Sequence, residues 1–342
     1  MSCRTATCAM HYLLFLLLCM VWGTNFILMK KAMPFFDPVD VAVYRVAGGF
    51  LALLAVWAMR RERWPIGREY VLPLLFVSLI GYAWPFVVQP TLIQMIQGSG
   101  FVGIMVCFVP LLTIVVSIPL LGIYPKPRQL LGVIIGLACS AVILQSGKSQ
   151  HSVSWWVILL AASVPLFYAI CNTYIKRRFV GVKALPLTIA ALAFSTAILS
   201  PLAIITNGTG LAEADPVEVS ATSQSVAASE VAAATETPAW LAIGAVVALG
   251  VIGTGLGILI FTKLLQEQGP LFAGMVTYLI PVIALTWGAV DGEKIETVQL
   301  VAFAGVLFSV GLVQFGAIDS SEADGLKADG RETPLVTSET AG

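Results

Sequence analysis

A chain of 342 residues that is 58% hydrophobic, only 11% charged and of zero formal net charge cannot cover a water-facing surface, since soluble domains carry about 25% charged residues. Its mean hydropathy of +0.92 sets most of it against lipid or other helices, and the lack of any long basic run excludes nucleic acid as an expected partner. The six cysteines are scattered, with no CxxC or Cys/His cluster, so no disulfide framework, metal site or cofactor is expected.

The first apolar run follows Arg4 and continues to Met29, about the ~20 residues that a membrane helix needs. No A-x-A-like site follows it, so it reads as a retained helix rather than a cleaved signal. Charges punctuate the rest, and residues 70–125 contain none. Reading the gaps in order gives ten spans: 12–31, 39–59, 70–89, 97–121, 128–146, 154–175, 184–206, 239–262, 270–290 and 297–317. All are expected to be helical, because a bilayer core offers backbone groups no water partner. The expected fold class is therefore all-α, a polytopic membrane protein. Residues 207–237 are Ala/Ser/Thr/Glu-rich, with no Lys or Arg, and read as a disordered acidic outer loop. The polar tail 319–342 reads as disordered too.

An internal duplication organises these spans. Pairing Pro110 with Pro281 also pairs Gln97 with Gln268, Gly98 with Gly269 and Gly103 with Gly274 without a gap, at an offset of 171. Near the start of each half, an offset of 146 matches Trp22 with Tyr168 and Lys30 with Lys176. The expected repeats are 12–146 and 154–317. Five spans per repeat is an odd number, so the second copy lies inverted, and solute sites in such pairs sit near the midplane where the repeats meet. With ten spans and an inner N-terminus, fourteen Lys and Arg fall inside and four outside. That bias puts both termini in the cytoplasm.

Several residues are candidates for a site. Trp22, Asn25, Phe26 and Met29 share a helical face, with Trp22 ~15 Å deep at 1.5 Å per residue. They suit a midplane cavity for an amphipathic solute, or helix packing with Asn25 as polar glue. Arg45 is the only charge well inside a span, where charge costs about 2.5–3.5 kcal/mol on insertion scales. Its partner is a substrate anion, Asp37 or Asp40, unless it snorkels outward. Lys30, near its helix end, is a gate or a snorkelling cation. Pro110 and Pro281 interrupt their helices as hinges or as tolerated kinks. Thr277 and Tyr278 lie ~12 Å into span nine and could line the cavity. Tyr82, Trp84 and Gln97 in the first half, and Tyr168 and Asn172 in the second, complete the set. Gly132, Gly136 and Ser140, and Gly253 with Gly257, read as close helix contacts.

The run Trp22-Gly23-Thr24-Asn25-Phe26 with Lys30, then Tyr44-Arg45, then Gly269-Pro270, Thr277-Tyr278-Leu279-Ile280-Pro281, Trp287-Gly288 and Gly292-Glu293 resembles the EamA-type units of the drug/metabolite transporter superfamily. The resemblance covers roughly 12–317. It implies a ten-helix inverted-repeat carrier of the cell (inner) membrane, without enzymatic activity, that exports small metabolites or amphipathic compounds. Its partners are then a small-molecule solute, the lipid bilayer and, as a candidate, a second copy of the chain. A channel or a non-transporting scaffold is the alternative. An intramembrane enzyme is a weaker one: there is no His-Glu-x-x-His, no aspartyl pair in mid-span, and His11 and His151 fall at expected helix ends.

Overall fold

The computed structural model describes residues 2–32, 35–61, 64–96, 105–145, 155–209, 238–290 and 297–313, the last without 299 and 303. Among these residues there is no strand, and ten helical segments follow the charge gaps. They are α1 (Ser2–Ala32), α2 (Pro38–Arg60), α3 (68–96), α4 (Val109–Leu121), α5 (Pro127–Gln145), α6 (Trp155–Arg178), α7 (Ala184–Thr209), α8 (239–268), α9 (270–290) and α10 (Leu300–Val313). Six of them, α1, α2, α3, α6, α7 and α8, are long and apolar enough to cross a membrane. The other four are shorter.

Local chemistry sets the ends. Pro38 opens α2 behind an extended Asp37, where its missing N–H has no helical partner to lose. Gly122 ends α4 at φ 67°, and Gly269 separates α8 from α9 at φ 95°, backbone that favours glycine. Three departures from expectation stand out. The first helix starts at Ser2, ten residues before the expected span. The expected fourth span is helix only over Val109–Leu121, and residues 97–104, Gln97 included, lie outside the described residues. The ninth breaks at Met275, between Pro270–Gly274 and Val276–Val290. Most of the acidic loop and the polar tail also lie outside the described residues.

The protein is apolar outside as well as in its core, with a minority of polar side chains buried between the helices. Leu13, Leu51, Leu72, Leu131, Leu159, Ile204, Ile243 and Phe308 are all exposed, far more apolar surface than a soluble monomer shows. Trp64, Tyr124, Trp155 and Trp240 are exposed at helix ends or in the connections beside them, where amphipathic rings favour the lipid–water boundary. The buried polar side chains are mostly Ser, Thr and amides, and some of them bond across helices. Ser117 meets Thr173 at 3.5 Å between α4 and α6, and Thr188 meets Thr262 at 3.4 Å between α7 and α8.

Two helices widen in mid-course. Val77–Ala83 in α3 and Leu249–Leu256 in α8 are π-helical. In α3 the cause lies just beyond: Pro85 offers no N–H, so the hydrogen-bond ladder must shift ahead of it. In α8 four glycines fall within 250–257. Both wide stretches are seated against the opposite half. Gly48 and Gly49 of α2 lie against Gly250 and Gly255. Ser195 of α7 donates to the Ser78 carbonyl (3.1 Å), while Ser78 donates to the Ala191 carbonyl (2.9 Å).

The pairings correspond when the halves are exchanged. Helix α1 packs on α8 and α9 as α6 packs on α3 and α4; α2 packs on α8 as α7 packs on α3; α2 and α7 pack on each other. The correspondence reaches single residues. A Cβ at Gly253 would lie 2.3 Å from Asn25 Oδ1, and one at Gly81 would lie 2.2 Å from Cys171 Sγ. Asn25 and Cys171 are themselves 146 apart, the offset that pairs Trp22 with Tyr168. One further tie joins α1 to the end of α8: His11 Nε2 and Glu267 Oε2 are 2.6 Å apart, with Gln268 Nε2 3.2 Å from His11 Nδ1. Nearby, Lys176 donates to the Gln266 carbonyl.

The α2–α8 crossing has no spare room: a Cβ on Gly49 would stand 2.8 Å from the Gly255 nitrogen, whereas one on Gly244 would meet nothing within 4 Å. Gly49→Ala is expected to cost about 1–3 kcal/mol by overpacking and to lower the thermal midpoint of detergent-purified protein. Gly244→Ala should leave that midpoint unchanged or slightly raised.

Candidate functional site

Between the halves lies a cavity of about 90 Å³, measured to the centres of the waters it could hold. One water needs about 10–15 Å³ on that scale, so there is space for several waters or a small solute. Both halves close it. From the first come Trp22, Asn25 and Met29 of α1, Arg45 of α2, and Gly81, Tyr82, Phe86 and Gln89 of α3. The second contributes Tyr168, Cys171 and Asn172 of α6, Gly253, Ile258 and Phe261 of α8, and Gly274, Thr277 and Ile280 of α9. Both π-helical stretches thus present a glycine to it.

The wall on the α1 side is built by spacing. Trp22 and Asn25, three residues apart, share a face, and the glycines opposite leave room for them. A Cβ at Gly257 would lie 2.5 Å from Trp22 Nε1. That Nε1 donates to the Gly253 carbonyl (3.1 Å), and the indole packs on Phe261 with centroids 5.0 Å apart. The intervening Gly23 and Thr24 face α9 instead. Gly23 abuts Ile283, and Trp287 Nε1 donates to Thr24 Oγ1 (3.2 Å).

Arg45 is 5% exposed and turns inward rather than snorkelling. Its Nε donates to Thr254 Oγ1 (3.1 Å), Nη1 lies 3.6 Å from Met29 Sδ, and Cζ sits 4.1 Å from the Phe86 ring centroid. No acidic side chain is among these contacts. Opposite, Gln89 Nε2 donates to the Tyr168 hydroxyl (3.3 Å). Asn25 Oδ1 is buried and has no hydrogen-bond partner.

The sequence candidates divide accordingly. Trp22, Asn25, Arg45, Tyr82, Tyr168, Asn172 and Thr277 meet in this one cavity. Tyr278 does not. Its ring is fully buried against Gly136, and its hydroxyl donates to the Val133 carbonyl of α5 (2.8 Å). Adjacent helical residues point about 100° apart, so Thr277 and Tyr278 cannot share a target. Pro110 is also corrected. It stands in the first turn of α4, where proline interrupts nothing. Pro281 is interior to its helix, and it deprives the Thr277 carbonyl of an N–H partner. Cys107 Sγ, 3.7 Å away, donates to that carbonyl instead. Trp84 is 39% exposed and bonds Ser163 Oγ (2.9 Å), apart from the cavity. The side chains of Phe26 and Lys30 lie outside the described residues. The small-residue stripes are close contacts as expected: Gly132 and Gly136 meet Ser309 and its neighbours, and Gly253 and Gly257 meet α1.

Sequence reasoning missed Gln89, Phe86 and Phe261. Gln89 could have been found as an amide within an apolar span; the phenylalanines carry no such signal in so apolar a chain.

Helices that cross a membrane, enclosing a small, mostly apolar chamber with one cation and a few amides, define a membrane protein that handles small molecules. The EamA-like transporter family model matches residues 9–145 and again 155–315, so the chain belongs to that family and carries its unit twice. The uncharacterized inner membrane transporter YedA of Escherichia coli strain K12 is 24% identical over 301 residues, 86% of this chain and 88% of that one. Protein PagO of Salmonella typhimurium strain LT2 is 25% identical over 198 residues, 54% of this chain and 62% of the other. A solved crystal structure superposes with a TM-score of 0.66 at 20% identity over 91% of this chain and 98% of its own. That likeness shows a shared fold.

Removing the Tyr278 hydroxyl should separate scaffold from site. Tyr278→Phe is expected to cost about 1 kcal/mol, read as a small drop in thermal midpoint, with the solute affinity of the cavity unchanged.

Proposed function

We propose that this membrane transporter is a secondary carrier that exports small metabolites or amphipathic compounds by alternating access. One observation carries the reading: the cavity is closed by both halves at once, each supplying a π-helical wall. A chamber that depends on how two halves meet opens to either side when they rock.

The two repeats, 12–146 and 154–317, are in this reading five-helix bundles of opposite orientation. The double family match, the exchange-matched packing of α1 with α6 and α2 with α7, and the paired contacts at Gly81 and Gly253 support that arrangement. The excess of Lys and Arg on one side supports cytoplasmic termini, and the inner-membrane relative from Escherichia coli supports that membrane. Within it, Pro281 is the hinge. The Thr277 carbonyl that it leaves unpaired is held from the first half by Cys107, so motion there changes partners rather than stranding a carbonyl. Trp22, Asn25, Tyr82, Tyr168, Asn172 and Thr277 bind the solute, and the reaction makes and breaks no covalent bond.

Expression in a tolerant host tests this against an empty vector and Trp22→Ala. Small solutes enriched in the medium by the wild-type chain should fall to the empty-vector level in the variant, at equal protein in the membrane. In proteoliposomes the identified solute should show saturable flux. Flux that rises linearly at high unitary rate would make the protein a channel, and no change in any solute would leave the scaffold reading standing.

A further inference from the structure

We infer that the solute is a small organic monoanion, a carboxylate with an apolar body and at least one N–H or O–H donor, bound through Arg45. This rests on the cavity being the transport site and names what it takes.

The inference starts from an imbalance. A guanidinium carries five N–H donors and keeps its charge in a protein. The Arg45 contacts are a hydroxyl, a thioether and the face of a ring. Each softens the charge and none neutralises it. Arg45 is also the one charged side chain among the described residues lining the cavity. A buried cation without a counter-charge is unfavourable, and such residues inside membranes mark the path of a solute or ion. The missing charge is therefore supplied by what enters.

Three features narrow the class. One cation balances one negative charge, which favours a monoanion over a phosphate dianion. The planar fork of the guanidinium matches the two oxygens of a carboxylate. Second, Asn25 Oδ1 is buried on the same cavity wall without a donor, and Asn25 itself is 8% exposed. An occupant with an N–H or O–H would satisfy it. Third, Trp22, Phe86, Ile258, Phe261 and Ile280 give the remainder an apolar enclosure.

The test uses the full-length protein in detergent and a panel of small aryl and alkyl hydroxycarboxylates, among them 3-phenyllactate. Each is paired with its neutral amide of the same shape, and phenyl phosphate is included as the dianion arm. Affinities are read by calorimetry and thermal shift. At least one carboxylate should bind about tenfold or more tightly than its amide, and more tightly than phenyl phosphate. Arg45→Gln should remove that preference while the amide's affinity stays within about twofold. Asn25→Asp, which adds a negative charge to the same chamber, should weaken the carboxylate and spare the amide, so the inference remains testable if Arg45→Gln does not fold. Equal binding of carboxylate and amide by the wild type would overturn it. So would an Arg45→Gln variant that weakens both alike, since a scaffold role does that, or the lack of binding by every carboxylate. Carboxylate binding without flux in proteoliposomes would instead remove the carrier reading and leave the anion site in place.

Discussion

In a bilayer core an unpaired backbone group has no water to turn to, and this constraint decides where the protein can be irregular. Among the described residues, three irregular stretches are the two π-helical turns and the Pro281 interruption. Each is repaired by a side chain from the other half. Trp22 of α1 donates to the Gly253 carbonyl, Cys107 to that of Thr277, and Ser195 of α7 to that of Ser78. Irregular backbone, close contact between halves and the chamber therefore coincide. Widened helix is common at working sites, and here the reason is local: a carbonyl turned out of its ladder needs a partner, and the partner comes from across the interface.

The same constraint shapes the distribution of side chains. Leucines and isoleucines face outward as well as filling the core, while a smaller set of serines, threonines and amides is buried among them. Without a hydrophobic drive between helices, close approach and hydrogen bonds hold the bundle. The α2–α8 crossing uses glycine against glycine, and its counterpart between α3 and α7 uses paired serines. Two chemistries make the same joint, as a duplicated unit whose copies have diverged would.

Much of this was legible in the amino-acid sequence. Charge gaps located the helices because a charge in lipid is costly, and the Trp22–Asn25 spacing located a wall of the chamber. The failures have physical causes too. Depth along a helix was readable from rise per residue, but direction around it was not, so Thr277 was placed rightly and Tyr278 was not. The pocket that holds Tyr278 exists because Gly136 lies across from it, a tertiary fact. Pro110 looked like a mid-helix break because nothing in the apolar run signalled the turn at 107–108. The π-helical stretches were equally hidden, since glycines and a proline permit such a turn without requiring it. Phe86 and Phe261 were indistinguishable from the other large apolar residues.

The paired glycines have a last consequence. Gly253 receives Asn25, while its counterpart Gly81 receives Cys171, so a nearly two-fold framework encloses a lopsided interior. The one cation, Arg45, lies toward α1, α2 and α8, while Gln89, Tyr168 and Asn172 give the opposite wall only neutral groups. A charged guest held by such a lining has one favoured orientation within it. If the halves rock as proposed, the guest meets the other compartment without turning around, so the end that leads on arrival also leads on departure.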